Sequence, residues 1–317
     1  MTTKIVIDTD PGIDDAMAIL FALKAPEIEL MGLTTIYGNV HTDLATQNAL
    51  RLVEFAGRPD ISVAHGADLP LIVPLKSVAS EVHGVDGLGN THQPPPQGRP
   101  LNKPAAQYIV ETVMANPGKI TLISLGPLTN LALALALEPR LVDAVAGVVL
   151  MGGAATVGGN INPAAEANVF KDPHAADVVF TAGWPLTMVG LDVTHKAVMS
   201  RAYLADLKTA TATTQFLDSI SQFYMDYYQK AHPGLDGMPM HDPSTIAYVI
   251  NPSLFTIRQA PVRVITEGIA AGMTLPDFHQ QWVVPNGWTD IPPTNICIDV
   301  DVSELLSLYQ KTITRPD

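Results

Sequence analysis

The chain has 317 residues and a mass of 33.8 kDa, with 47% hydrophobic and 15% charged residues, the composition of a folded protein with a large core. Its 31 acidic residues against 18 basic ones give a net charge of −13, which argues against nucleic acid and against an anionic membrane surface as partners. A single cysteine, Cys297, leaves no internal disulfide and no cysteine-rich metal site.

Apolar runs of strand length alternate with helical patterns from the start. Ile5–Asp8 reads as a strand, Asp14–Lys24 as a helix, Leu30–Ile36 as a strand and Asp43–Ala56 as a helix. Asp8 and Asp10 interrupt the first apolar run far too early for a signal peptide or a membrane span, so the expected location is the cytoplasm. The segment 79–100 carries His83, Gly84, Gly87, Gly89 and Pro94-Pro95-Pro96, and reads as a long surface loop or flap. Ile120–Ser124, Val145–Met151 and Leu186–Val189 read as strands, with helices Leu128–Leu137 and Asp172–Ala182 among them. A helix is expected over Thr213–Lys230, and a Gly/Pro-bearing loop over His232–Met240.

The strands are continuous apolar runs rather than alternations, which suits a parallel sheet covered on both faces. The predicted fold is therefore α/β: an open, mostly parallel, doubly wound, Rossmann-like sheet. No linker divides the chain, so one domain over 1–317 is expected. Asp8-Thr9-Asp10, Tyr37-Gly38-Asn39, Gly126-Pro127 and Gly152-Gly153 each follow a strand. Ligands of open α/β sheets bind outside the carboxyl ends of the strands, so these four segments should converge on one site.

The strongest chemical signal is Asp8-Thr9-Asp10-Pro11-Gly12-Ile13-Asp14-Asp15, with four carboxylates at a strand-to-helix junction. Like charges this close repel. A helix N-terminus relieves part of that for Asp14 and Asp15 but not for Asp8 and Asp10, which end a buried strand. A hard divalent cation, Ca²⁺ or Mg²⁺, relieves the rest. A carboxylate beside a cation-activated water points to metal-assisted hydrolysis, with Asp10 well placed as base. An Asp-x-Asp after a first strand also suits a phosphohydrolase with an aspartyl nucleophile, although no cluster of Lys or Arg accompanies it. A non-catalytic nucleoside- or ribose-binding protein is the other alternative.

On the helix 213–230, Phe216, Ile220, Phe223 and Tyr227 read as a core stripe. Leu217, Tyr224 and Tyr228 form an adjacent stripe, with the two tyrosines four residues apart and able to point together. Asp192 and His195 are set aside as structural.

The Asp8–Asp15 run resembles the N-terminal signature of the inosine–uridine-preferring nucleoside hydrolases. Tyr37-Gly38-Asn39-Val40, Gly126-Pro127-Leu128-Thr129-Asn130, Met151-Gly152-Gly153, Pro163-Ala164-Ala165-Glu166-Ala167-Asn168, Gly190-Leu191-Asp192-Val193-Thr194-His195 and His241-Asp242-Pro243 are similar to family segments, in family order. The resemblance implies calcium-dependent hydrolysis of the N-glycosidic bond of purine or pyrimidine ribonucleosides to ribose and free base. It implies one Ca²⁺ held by Asp10, Asp15 and Asp242 and by the carbonyl of Leu125, with Asp10 as general base. It also implies Asp14, Asn168 and Asn39 at the 2′-hydroxyl, Asn160 and Glu166 at the 5′-hydroxyl, and Met151 against the sugar. His241 would be the acid on the base side, its pKa raised by neighbouring Asp242, and His83, Tyr224, Tyr228 and His241 would shape the base pocket. A homo-oligomer, tetramer or dimer, is implied as well. The chain departs from the pattern at Ala167, a position often aromatic in the family, which leaves more room beside the sugar or base.

Overall fold

The computed structural model describes residues 2–208 and 210–316. In chain order the strands are β1 (Thr3–Thr9), β2 (Ile28–Thr35), β3 (Val63–Ala64), β4 (Ile120–Ser124), β5 (Gly147–Met151), β6 (Leu186–Val189), β7 (Val198–Ser200), β8 (Gly237–Pro239), β9 (Phe255–Ala260), β10 (Val262–Val264), β11 (Thr274–Pro276) and β12 (Thr294–Val300). Among the described residues, eight of these form one sheet in the order β3-β2-β1-β4-β5-β6-β12-β9. Every neighbouring pair is parallel except β12 with β9. This is the open, mostly parallel α/β sheet read from the sequence.

The continuous apolar runs follow from covering both faces. Ile5 and Ile7 enter one core cluster, while Val6, pointing the other way, enters the second. Helix Ile13–Lys24 is buried at every position from Ile13 to Ala22, so beyond Asp14 and Asp15 its sequence is apolar on all sides instead of in one stripe. Among the described residues, no helix is long and apolar enough to cross a membrane.

The register aligns the carboxyl ends of the strands. Thr9 pairs with Thr35, Asp8 with Ser124, Ser124 with Leu150, and Met151 with Val189. The chain leaves β1 toward β2 on one side and has β4 on the other, so a crevice opens above these two strands.

Some elements differ from the sequence reading. Strands β9 and β12 were not expected; β9 is an edge strand with four exposed residues in its middle, and Thr-Ile-Arg-Gln offers no apolar run. The His232–Met240 loop contains β8, which pairs antiparallel with β7. On helix Ala212–Ala231 the two stripes are exchanged in part. Leu217, Ile220 and Tyr224 are almost fully buried and Tyr228 nearly so, whereas Phe216, Phe223 and Tyr227 are half-buried.

The 79–100 segment is an anchored structure more than an open flap. It begins with helix Ser80–His83. The Asp86 carboxylate then accepts from the backbone N–H groups of Leu88, Asn90 and His92, each at 2.8 Å. Asn48 ties it to the first loop by donating to the carbonyls of Pro11 and Asp86. Gly89 sits at φ +69° where a Cβ would lie 2.6 Å from the carbonyl oxygen of Ile220, so only glycine fits there.

Candidate active site

The four segments expected to converge do so. Asn39, after β2, donates its backbone N–H to Oδ2 of Asp10 and its side-chain amide to Oδ2 of Asp15 at 2.9 Å. Leu125, after β4, donates its N–H to the carbonyl of Asp8 at 2.8 Å. Gly153, after β5, donates to Glu166 at 3.1 Å. Two glycines admit the Asp10 side chain: a Cβ on Gly38 would lie 1.8 Å from its Oδ2, and one on Gly126 2.5 Å from its Oδ1.

The carboxylates are buried and unequally satisfied. Asp15 accepts from the Thr9 hydroxyl and from the backbone N–H groups of Asp10 and Gly12, besides Asn39. Asp8 accepts from Thr34 and Asn130 through Oδ1 alone. Oδ1 of Asp10 and Oδ1 of Asp14 are buried and have no hydrogen-bond partner. Asp242 stands in the first turn of helix His241–Ile250 and is 2% exposed. It makes no side-chain cap there, so capping of this helix does not account for its burial.

Ligand atoms of Asp14, Asp15 and Asp242 lie within 4.8 Å of one another, close enough to hold one metal ion. This grouping contains Asp14, which the sequence reading assigned to the ribose, and does not contain Asp10, which is tied to Asp15 through their shared donor Asn39. Burial is the first cause holding all these carboxyls up: Asp8 and Asp14 at about 7, and Asp10, Asp15 and Asp242 above the usual range, with mutual repulsion adding to Asp10, Asp14 and Asp242. A buried all-oxygen cluster with orphaned acceptors fits a hard divalent cation, which would reverse that penalty.

Above these groups opens a cleft of about 250 Å³. It is lined by Asp14, Asn39, His83, Leu125, Met151, Asn160, Glu166, Asn168, Tyr224, Tyr228, His241 and Asp242, all singled out in the sequence, whereas Asp10 and Asp15 are fully buried and not part of the lining. Glu166 caps helix Ala167–Lys171 by accepting from the N–H groups of Asn168 and Val169, and burial raises its pKa. Asn168 donates to the carbonyls of Leu125 at 2.7 Å and Met151 at 3.1 Å. Each carbonyl oxygen keeps a second lone pair, so the one on Leu125 remains able to meet a cation. Asn160 stands exposed at the rim, its side chain accepting from the N–H of Ala167 at 3.0 Å.

Aromatic groups form the other end. Tyr224 donates to Asp14 at 3.3 Å, stacks on His83 with ring centroids 5.2 Å apart, and meets Tyr228 edge-on at 4.9 Å. His83 accepts the N–H of Ile13 at Nδ1, which assigns the proton of a neutral ring to Nε2. His241 is held between the hydroxyls of Tyr228 at Nε2 and Thr194 at Nδ1, both at 2.8 Å. The expectation that Asp242 raises the pKa of His241 is not met. Burial lowers both His241 and His83 to about 3, so each imidazole is neutral near pH 7.

Lys171, His195, Tyr227 and His232 also line the cleft, and sequence reasoning did not place them there. Asp192, set aside as structural, is so: it accepts from the N–H groups of Ala155 and Thr156 and from the Thr156 hydroxyl. His195, three residues on, instead faces the cleft, 5.8 Å edge-on from His241. Lys171 lies three residues after Asn168 on one helix, a spacing that places both on the same face. Ser77, Val78, Ala79 and Val82 wall the opening, so the cover comes from just before His83 and not from the glycine loop after it.

A doubly wound sheet whose carboxyl edge gathers buried aspartates under an aromatic-ended cleft defines a hydrolase built for a small ligand with a polar and an aromatic part. The family model for the inosine-uridine preferring nucleoside hydrolases matches residues 5–307. A protein of Arabidopsis thaliana described as a probable uridine nucleosidase 2 is 47% identical over 312 residues, covering 96% of this chain and 95% of its own. The inosine-uridine preferring nucleoside hydrolase of Leishmania major is 43% identical, covering 88% of this chain and 89% of its own. Among solved structures, a plant nucleoside hydrolase superposes with a TM-score of 0.97 at 44% identity over the whole of both chains. A purine-preferring ribonucleoside hydrolase from Gardnerella vaginalis gives 0.92 at 32% identity over 98% of each. The chain belongs to the inosine-uridine preferring nucleoside hydrolase family and is an enzyme of that class.

Proposed function

We propose that this enzyme hydrolyses the N-glycosidic bond of uridine- or inosine-like ribonucleosides with Ca²⁺ bound, releasing ribose and free base. One observation carries the reading: Oδ1 of Asp10, buried and without a partner, beside the clustered oxygens of Asp14, Asp15 and Asp242. Asp10, Asp15 and Asp242, with the carbonyl of Leu125, would hold the ion. When bound, a divalent cation there supplies positive charge that orients vicinal hydroxyls and acidifies water.

The chain's own residues do the rest. Asp10, held through Oδ2 by the N–H of Asn39, takes the proton of the attacking water at Oδ1. Asp14, Asn39 and Asn168 fix the 2′-hydroxyl, and Glu166 and Asn160 the 5′-hydroxyl, while Met151 packs on the sugar. As the glycosidic bond lengthens, the ribosyl group gains cationic character, which this ring of carboxylates and amide oxygens stabilises. Tyr224 and Tyr228 take the base on their faces and edges, with His83 and His241 around it. The neutral His241 and the Tyr228 hydroxyl form the donor pair on the leaving-group side. Ala167 leaves space beside the sugar that an aromatic residue would fill. The similarity to a probable uridine nucleosidase supports trying uridine first.

A reducing-sugar assay over uridine, inosine, cytidine and adenosine tests this. Ribose release from uridine or inosine is the expected result. Binding of these nucleosides without ribose release would favour a binding protein.

A further inference from the structure

Lys171 is the one cleft residue whose charge opposes all the others at the floor. It ends helix Ala167–Lys171, is 8% exposed, and lines the cleft wall one turn beyond Asn168. Among the described residues its ammonium makes no hydrogen bond and no ion pair. A lysine buried to this degree is normally paired. Its backbone has no freedom to carry it elsewhere. The preceding carbonyl, of Phe170, accepts from Lys76 at 2.9 Å, and the following side chain, Asp172, accepts from Leu71, Thr129 and Ala175. The stretch that carries the ammonium is therefore fixed, and Lys171 lines the same cleft as Asp14, Glu166 and Asp242.

Burial lowers the Lys171 pKa, and the carboxylates of Asp10, Glu166, Asp15 and Asp14 act against that shift. In return Lys171 is one of the groups that hold the Asp10 and Glu166 carboxyls down. Without a counter-charge, a floor of buried carboxylates opposes its own folding. With one, the same field is shared between the ammonium and any arriving cation, and like charges in one site weaken each other's binding.

We propose that Lys171 is an internal counter-cation: it stabilises the metal-free cleft and loosens the hold of the carboxylates on a divalent ion, so that metal exchanges readily. The inference rests on the metal reading above. It assigns to Lys171 a positioning role and no contact with the reacting atoms.

The test is calorimetric titration of chelator-stripped full-length wild type, K171M and K171R with calcium chloride, together with thermal melting of the stripped proteins. K171M should bind calcium more tightly by on the order of tenfold. Its stripped form should melt below stripped wild type, and K171R should match wild type in both. A packing role alone would lower melting with and without calcium alike and leave the calcium Kd unchanged; an unchanged or weaker Kd in K171M overturns the proposal. If K171M is not recovered folded, K171Q carries the same comparison. If wild type takes up no calcium, the metal reading fails, and the melting of stripped K171M then decides the counter-charge by itself: melting no lower than wild type overturns it.

Discussion

The hydroxyl of Tyr228 lies 2.8 Å from Nε2 of His241, and the other ring nitrogen of His241 is 2.8 Å from the Thr194 hydroxyl. Burial lowers the His241 pKa to about 3, so the ring is neutral near pH 7. It can donate only as a neutral ring whose proton is placed by its two hydroxyl partners. The two residues should therefore act as a unit. Tyr228→Phe and His241→Ala should each lower kcat/KM, and the double variant should lose less than the sum of the two by about 1 kcal/mol. Strict additivity in the double-mutant cycle would show that they work independently.

Asp10→Asn keeps the shape that Gly38 and Gly126 accommodate, and an amide oxygen can still accept from the N–H of Asn39. It removes the base. Turnover should fall by about 10²- to 10⁴-fold while the stripped protein melts no lower than wild type, since a buried charge has gone. Turnover near the wild-type rate would exclude Asp10 from that role.

Asp14 accepts from Tyr224 through Oδ2 and leaves Oδ1 unpartnered toward the cleft. If that oxygen receives the 2′-hydroxyl, 2′-deoxyuridine should be cleaved far more slowly than uridine, by about 10²-fold or more, because a buried acceptor would go unmet. Equal rates on the two substrates would place the sugar differently.

Stability should depend on pH with a sign the buried groups determine. Asp8 and Asp14 stand at about 7 in the fold against 3.8 ordinarily, so the folded chain keeps protons that the unfolded chain gives up. Their contribution is whole below 3.8 and is lost as pH rises through about 7. His83 and His241 act oppositely: lowered from 6.5 to about 3, they lend stability that is whole above 6.5 and lost as pH falls toward 3. From pH 6.5 to about 8 His83 and His241 stay neutral while Asp8 and Asp14 give up their protons, so the Tm of chelator-treated protein should fall across that window. Calcium, which favours the ionised form, should flatten the slope. A Tm that rises over the same window without calcium would contradict the buried-carboxylate account.

The parts legible in the sequence were those with a local physical signature. Apolar runs such as Ile120–Ser124 and Leu186–Val189 gave strands at the observed limits, because strands covered on both faces admit nothing else. Their common register brought Asp10, Asn39, Leu125 and Gly153 together as the parallel sheet required. Less legible were features decided by tertiary surroundings. The direction of the His241 pKa depends on complete burial, which the adjacent Asp242 gives no hint of. The half-burial of Phe216 and Phe223 depends on what helix Ala212–Ala231 packs against, and apolar identity alone put them in the core. Lys171 was not legible because a lysine in a helix normally points to water, whereas here it is buried and lines the cleft.

In the proposed mechanism the aspartate floor works through a bound divalent cation, with Asp10 taking the water proton. Ribose release from uridine or inosine, measured after exhaustive chelation and again during stepwise return of calcium, addresses it most directly. The account predicts loss of turnover on chelation, recovery in the wild type as calcium is restored, and no recovery at any calcium concentration in Asp10→Asn. Full turnover in the chelated wild type, or calcium-driven recovery in Asp10→Asn, would contradict it.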